Sequence, residues 1–166
     1  WHIPLLHGKI VSMSVNSAFM LAAFLTEDSS LFLISINKGS IVARNHFDEF
    51  PFKVILTKEW CLATVITKHG DTFHLDVMSL DTTPIFSYIF EQEIVDVERF
   101  LTNFGFDYLI YTTSDKKIWM IDLFALGKTE MLQELTFKPK AIAVAGNSQK
   151  LLTISKKGDK SKLLFT

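Results

Sequence analysis

The sequence predicts an all-β fold: a β-propeller segment of about four four-stranded blades. Three observations carry this. Hydrophobic runs of strand length, rich in Val, Ile, Phe and Thr, alternate with breaks of Gly, Asp, Pro, Asn or Thr. The runs fall in groups of four, each group taking roughly 40 residues, the size of one blade. The groups also recur. Overlaying Met20-Leu21-Ala22, Cys61-Leu62-Ala63, Tyr108-Leu109-Ile110 and Leu151-Leu152-Thr153 steps the central residue by about 44 residues.

The clearest group is Lys53–Lys58, Cys61–Thr67, Thr72–Ser79 and Pro84–Phe90, broken at Lys68-His69-Gly70-Asp71 and Leu80-Asp81-Thr82-Thr83. Before it come Ile10–Val15, Phe19–Thr26, Leu31–Asn37 and Ile41–Phe47. Ala18–Leu25 holds helix formers, but it is short and flanked by turn residues, so it reads as strand. The third group is Ile94–Phe100, Tyr108–Ser114, Ile118–Phe124 and Thr129–Phe137. The fourth has only Ala141–Ala145, Leu151–Ser155 and Ser161–Phe165, one strand short. Trp1–Leu6, with Pro4, reads as an edge strand.

The whole chain, 1–166, is thus expected to be one propeller segment, with approximate blades 9–50, 51–92, 93–137 and 138–166. Residues 1–6 supply a strand of a preceding or closing blade. Two counts stay open: four blades closed by Trp1–Leu6, or half of a larger propeller. Leu75-Asp76-Val77 and Ile121-Asp122-Leu123 fall where a Trp-Asp pair would end the third strand of a blade, while the first group has Ile34-Ser35-Ile36 there.

Composition narrows the function classes. Hydrophobic residues make up 48% of the chain and Phe alone contributes 15, which argues against disorder. A net charge of −1 gives no reason to expect nucleic acid. The single Cys61 precludes an internal disulfide and fits a reducing, cytoplasmic setting, as does the absence of an Asn-x-Ser/Thr acceptor. The apolar run Ala18–Leu25 is too short to cross a bilayer. The chain opens on Trp1 rather than Met and is expected to be a segment of something longer.

Two stretches resemble BEACH-domain proteins. Val15-Asn16-Ser17-Ala18-Phe19, followed by Phe32–Ile36 and Lys38-Gly39-Ser40, is similar to one blade of that family. Pro51-Phe52-Lys53-Val54-Ile55-Leu56-Thr57-Lys58-Glu59-Trp60 is similar to the next. In that family a WD40-like propeller closes the chain. The resemblance implies a large scaffold in vesicle traffic, lysosome-related organelles or autophagy, with the propeller as its protein-docking end and no catalytic residues in it. The BEACH domain itself is absent from this sequence.

Chemistry-bearing patterns are few. His74 and Asp76 share a strand face and could ligate a metal, but the His69–Asp76 cluster also has turn chemistry, and Asp76 is expected to cap a strand end. Cys61 lacks a neighbouring base and reads as a small core residue. No phosphate loop, nucleophile elbow or zinc-protease motif occurs. The chain is therefore expected to be a non-catalytic interaction scaffold with no cofactor, no metal, no nucleic acid and no small-molecule substrate. The alternatives are a propeller-based or metal-dependent hydrolase and a small ligand-binding β-barrel or sandwich.

Charge is uneven along the chain. Lys138, Lys140, Lys150, Lys156, Lys157, Lys160 and Lys162 face only Asp159 after Phe137, while Glu91, Glu93, Asp96 and Glu98 form an acidic run. The candidate interaction surface is Trp60, Glu91, Glu93, Lys156, Lys157, Lys160 and Lys162. Proteins would be bound by loops and rims, and the lysines could meet anionic membranes peripherally. The competing reading is charge that keeps turns and edges soluble.

Overall fold

The structure, a computed structural model, describes residues 8–58, 61–101, 107–123, 125, 127–145, 150–155 and 160–164, the last five by backbone alone. Trp1–Leu6 lies outside them. Every regular element among the described residues is a strand.

Two compact units divide the chain, Trp1–Phe90 and Glu91–Thr166. In the first, β1 (Ile10–Asn16), β2 (Leu21–Thr26), β3 (Ser30–Ser35) and β4 (Ser40–His46) pair in sequence order as one antiparallel sheet. A second sheet repeats the plan with β5 (Phe50–Leu56), β6 (Ala63–His69), β7 (Thr72–Met78) and β8 (Pro84–Phe90). The other unit holds β9 (Ile94–Leu101), β10 (Asp107–Thr113), β11 (Lys117–Asp122) and β12 (Lys128–Glu134), again consecutive. Its second sheet has three described strands, β13 (Pro139–Ala145), β14 (Lys150–Ser155) and β15 (Lys160–Leu164). Among the described residues each strand pairs only with its neighbours in sequence, within its own sheet. This is the local pairing of a blade and not the closed ring of a barrel or the Greek-key order of a sandwich.

Several strand limits differ from the sequence reading. β2 starts at Leu21 and β6 at Ala63, because Met20 (φ 52°), which ends a turn, and Cys61 (φ 50°) adopt left-handed backbone. Cys61 accordingly precedes β6 instead of opening it, and is buried in the core as expected. β5 starts earlier than Lys53, since Pro51 is accommodated in an edge strand beside a bulge at Pro51/Lys53. At Gly70, φ 59° allows the tight β6–β7 hairpin.

The expected place of Asp76 is also corrected. β7 runs on to Met78, and Asp76 pairs mid-strand with Val65, where its Oδ1 accepts the Ser87 hydroxyl. Ser79, two positions after the Val77/Met78 shift, stands where Ser35 stands after the Leu33/Ile34 shift. Asp122 does keep the strand-end role, its Oδ1 accepting the Ala125 N–H at 3.0 Å.

In the first unit β1 and β5 are bound side chain to backbone. Ser12 Oγ accepts the Val54 N–H at 3.1 Å and Ser14 Oγ the Leu56 N–H at 2.9 Å. The buried Asn16 Nδ2 donates to the carbonyls of Thr57 (2.7 Å) and Lys58 (3.0 Å), and its Oδ1 accepts the Phe19 N–H. Around this seam Leu21, Ala23, Leu25, Leu31 and Leu33 pack with Val54, Leu56, Ala63, Val65 and Met78. Alternate residues of both sheets thus make one dry layer, which supplies the main driving force for this unit. In the second unit the equivalent tie is Asp96 Oδ2, which accepts the Ile142 N–H at 3.0 Å. Asp96 is therefore a structural member of the acidic run.

Candidate interaction surface

Among the described residues, the rim carries one hairpin device in each unit. Thr26 Oγ1 lies 2.5 Å from Asp28 Oδ1 and 2.9 Å from the Ser30 carbonyl oxygen, sharing its one proton between them. Ser30 Oγ donates to Asp28 Oδ2 at 3.3 Å. These bonds, Thr26 foremost, hold the Asp28 carboxyl below its ordinary range. The apex, Ser29, has φ 60°. Its carbonyl accepts the Phe47 N–H at 3.0 Å, and the Glu27 N–H reaches the Lys9 carbonyl at 2.8 Å. The hairpin thereby holds the chain both entering β1 and leaving β4.

The second unit repeats this bond for bond. Thr113 Oγ1 pairs with Asp115 Oδ1, Lys116 is the apex at φ 70°, and Leu135 N–H and Glu93 carbonyl take the places of Phe47 and Lys9. Here Lys117 Nζ adds an ion pair to Asp115 Oδ2 at 2.7 Å, and Lys117, then Thr113, lowers the Asp115 pKa. The sequence signal, Thr-x-Asp at 26–28 and 113–115, lay in plain view but is too short to be read alone.

In the second sheet Thr67 bonds outside its own hairpin. Its Oγ1 pairs with Glu49, from the connection between β4 and β5, whose other oxygen is 2.7 Å from His74 Nδ1. The Glu49 carbonyl accepts the Ser29 hydroxyl. His69 stacks on His74 with ring centroids 6.2 Å apart. His74 and Asp76 thus serve different partners, Glu49 and Ser87. No group of three ligands suited to a metal occurs among the described residues.

Beside this connection a cavity of about 300 Å³ opens, lined by Glu27, Asp28, His46, Asp48 and Glu49 and edged by Phe50. Phe50 is 75% exposed. Four carboxylates against one imidazole make the notch anionic, and an uncovered aromatic ring at its lip suits a cationic side chain. Ser30 Oγ also lies 3.4 Å from His46 Nδ1, so a Ser, a His and an Asp meet here. Asp28, however, takes the serine's proton instead of orienting the imidazole, the reverse of a nucleophile–base relay.

Of the sequence-derived residues, Glu91 and Glu93 are exposed in the β8–β9 connection, and the Glu93 carbonyl is held by Ser114. Trp60, Lys156 and Lys157 lie outside the described residues. Lys160 and Lys162 fall in β15, opposite Ile154 and Leu152. Glu49 and Phe50 escaped the sequence reading, because nothing local marks a connection residue that reaches two strands of the next sheet.

No protein-family model matches the chain, and no curated protein matches it. Solved structures do. RRP9 WD40 repeats align over 98% of this chain and 53% of theirs, at 8% identity and a TM-score of 0.72. The β-propeller domain of Myceliophteria thermophila Cps50 (Swd1) aligns over 89% and 49%, at 13% identity and a TM-score of 0.65. The fold is that of a WD40-like β-propeller. BBS1N, solved in complex with ARL6DN, matches this propeller fold over 86% of the chain and 45% of its own, at 14% identity and a TM-score of 0.70. The chain spans about half the length of these solved structures.

Proposed function

We propose that this propeller is a non-catalytic docking module that receives proteins on the rim where hairpins and inter-sheet connections meet. The observation that carries this is the anionic notch with Phe50 exposed at its lip, on a connection pinned by Ser29, Thr67 and His74. A pinned frame presenting an uncovered aromatic beside a cluster of carboxylates is organised for binding. The occupant is a peptide segment with Arg or Lys side chains. BBS1N, of similar fold, was solved in a protein complex, which supports a protein partner here. The blade-like stretches around Asn16 and Pro51 support membership of a BEACH-type scaffold in vesicle traffic, lysosome-related organelles or autophagy, on the cytoplasmic side of membranes.

Fluorescence anisotropy with an Arg/Lys-rich peptide panel tests the docking reading. Binding that weakens about tenfold in Asp48→Lys or Phe50→Ser and fades with added salt is the expected result. Binding indifferent to both substitutions, or none across the panel, would overturn it.

A further inference from the structure

The outermost strands of the sheets differ in one respect. β4 carries Arg44 and His46, β12 carries Lys128, Glu130 and Glu134, and β15 carries Lys160 and Lys162. Charged edge strands discourage pairing between molecules. β8, Pro-Ile-Phe-Ser-Tyr-Ile-Phe, has no charge along its seven residues. Among the described residues it pairs with β7 alone, so along Ile85–Ile89 its other edge carries backbone groups with no strand partner. Ile85 and Ile89 on it are 49% and 59% exposed. Pro84 stands at its first residue, where it leaves the rest of the edge open.

The strand is also self-complementary. Around Ser87 the order is Ile85, Phe86, Ser87, Tyr88, Ile89, so its reversed copy matches Ile with Ile and Phe with Tyr. We propose that β8 is a self-pairing edge: two copies of this chain join their second sheets antiparallel about a two-fold axis through Ser87. Ile85 then stands opposite Ile89 of the second copy on one face, and Phe86 opposite its Tyr88 on the other. Opposite residues of antiparallel strands share a face, so each apolar side chain meets an apolar mate. The symmetry about Ser87 serves whichever set of backbone groups points outward. An isologous contact of this kind closes after two copies. One strand pair is far smaller than the roughly 1,200–2,000 Å² of a stable interface, so the dimer is weak and concentration-dependent.

Sedimentation velocity of the full 166-residue chain from about 5 to 500 µM, a range spanning weak association, tests this. A monomer–dimer shift is expected, moved at least about tenfold to higher concentration by Ser87→Lys, which sets two cations together on the axis. Ile89→Lys asks the same question if the first variant fails to fold. Ser87→Cys gives an independent readout, because directly opposite residues have Cα atoms about 4.5–5.5 Å apart, within disulfide reach. Mild oxidation should cross-link it, whereas Ile41→Cys on β4 should stay monomeric. The native Cys61 is buried and does not compete. A monomer at every concentration, or equal cross-linking at both positions, would refute the proposal.

Discussion

Replacing Asn16 with Ala tests how the first two sheets are joined. Asn16 is 2% exposed and makes three hydrogen bonds, two from Nδ2 to the Thr57 and Lys58 carbonyls and one from the Phe19 N–H to Oδ1. At about 1 kcal/mol net for each bond, the truncation costs about 3 kcal/mol. For a chain of this size each kcal/mol moves Tm by about 2–4 °C, so a drop of about 6–12 °C follows. Denaturant melts should show a lower midpoint at an unchanged slope. Asn16→Asp sharpens the test, since a carboxylate would face two carbonyl oxygens. Its charged form is disfavoured on folding, so the folded state binds the proton more tightly than the unfolded chain. Relative to the unsubstituted chain, stability of that variant should therefore rise as pH falls toward about 4 and level off below it. A loss under about 1 kcal/mol for Asn16→Ala, or a pH-flat Asn16→Asp, would refute the tether.

Other consequences can be measured together. Leu33→Ala, at a fully buried site between the first two sheets, should cost about 2–5 kcal/mol in denaturant melts. Asp115→Asn should destabilise at neutral pH. A carboxyl depressed by Lys117 and Thr113 stabilises above its ordinary 3.8 and loses that contribution as pH falls through its folded value, so the two stability curves should converge in acid. If the lysine-rich end meets anionic lipid, replacing Lys156, Lys157, Lys160 and Lys162 with Ser should lower liposome co-sedimentation; unchanged sedimentation would end that reading.

The sequence by itself determined the strands and their grouping, because a period of two and its turn residues are local properties of the chain. Even within Ala18–Leu25, rich in helix formers, Leu21–Leu25 is legible as strand once the run's length and flanks are weighed. What the sequence left undecided lies where backbone conformation or distant partners decide. Met20 and Cys61 look like strand residues by hydropathy, and only their left-handed φ removes them. Asp76 looked like a strand end until the register of β7 against β6 ran two residues further. Glu91 and Glu93 were visible as charges, whereas Asp96 in the same run became a backbone acceptor once β9 and β13 came together. Glu49 and Phe50 gained meaning only in three dimensions. A carboxylate that holds Thr67 and His74, 18 and 25 positions away, leaves no periodic trace in the chain. Strand identity is written in nearest neighbours, while the rim is written in contacts between sheets, which tertiary packing alone creates.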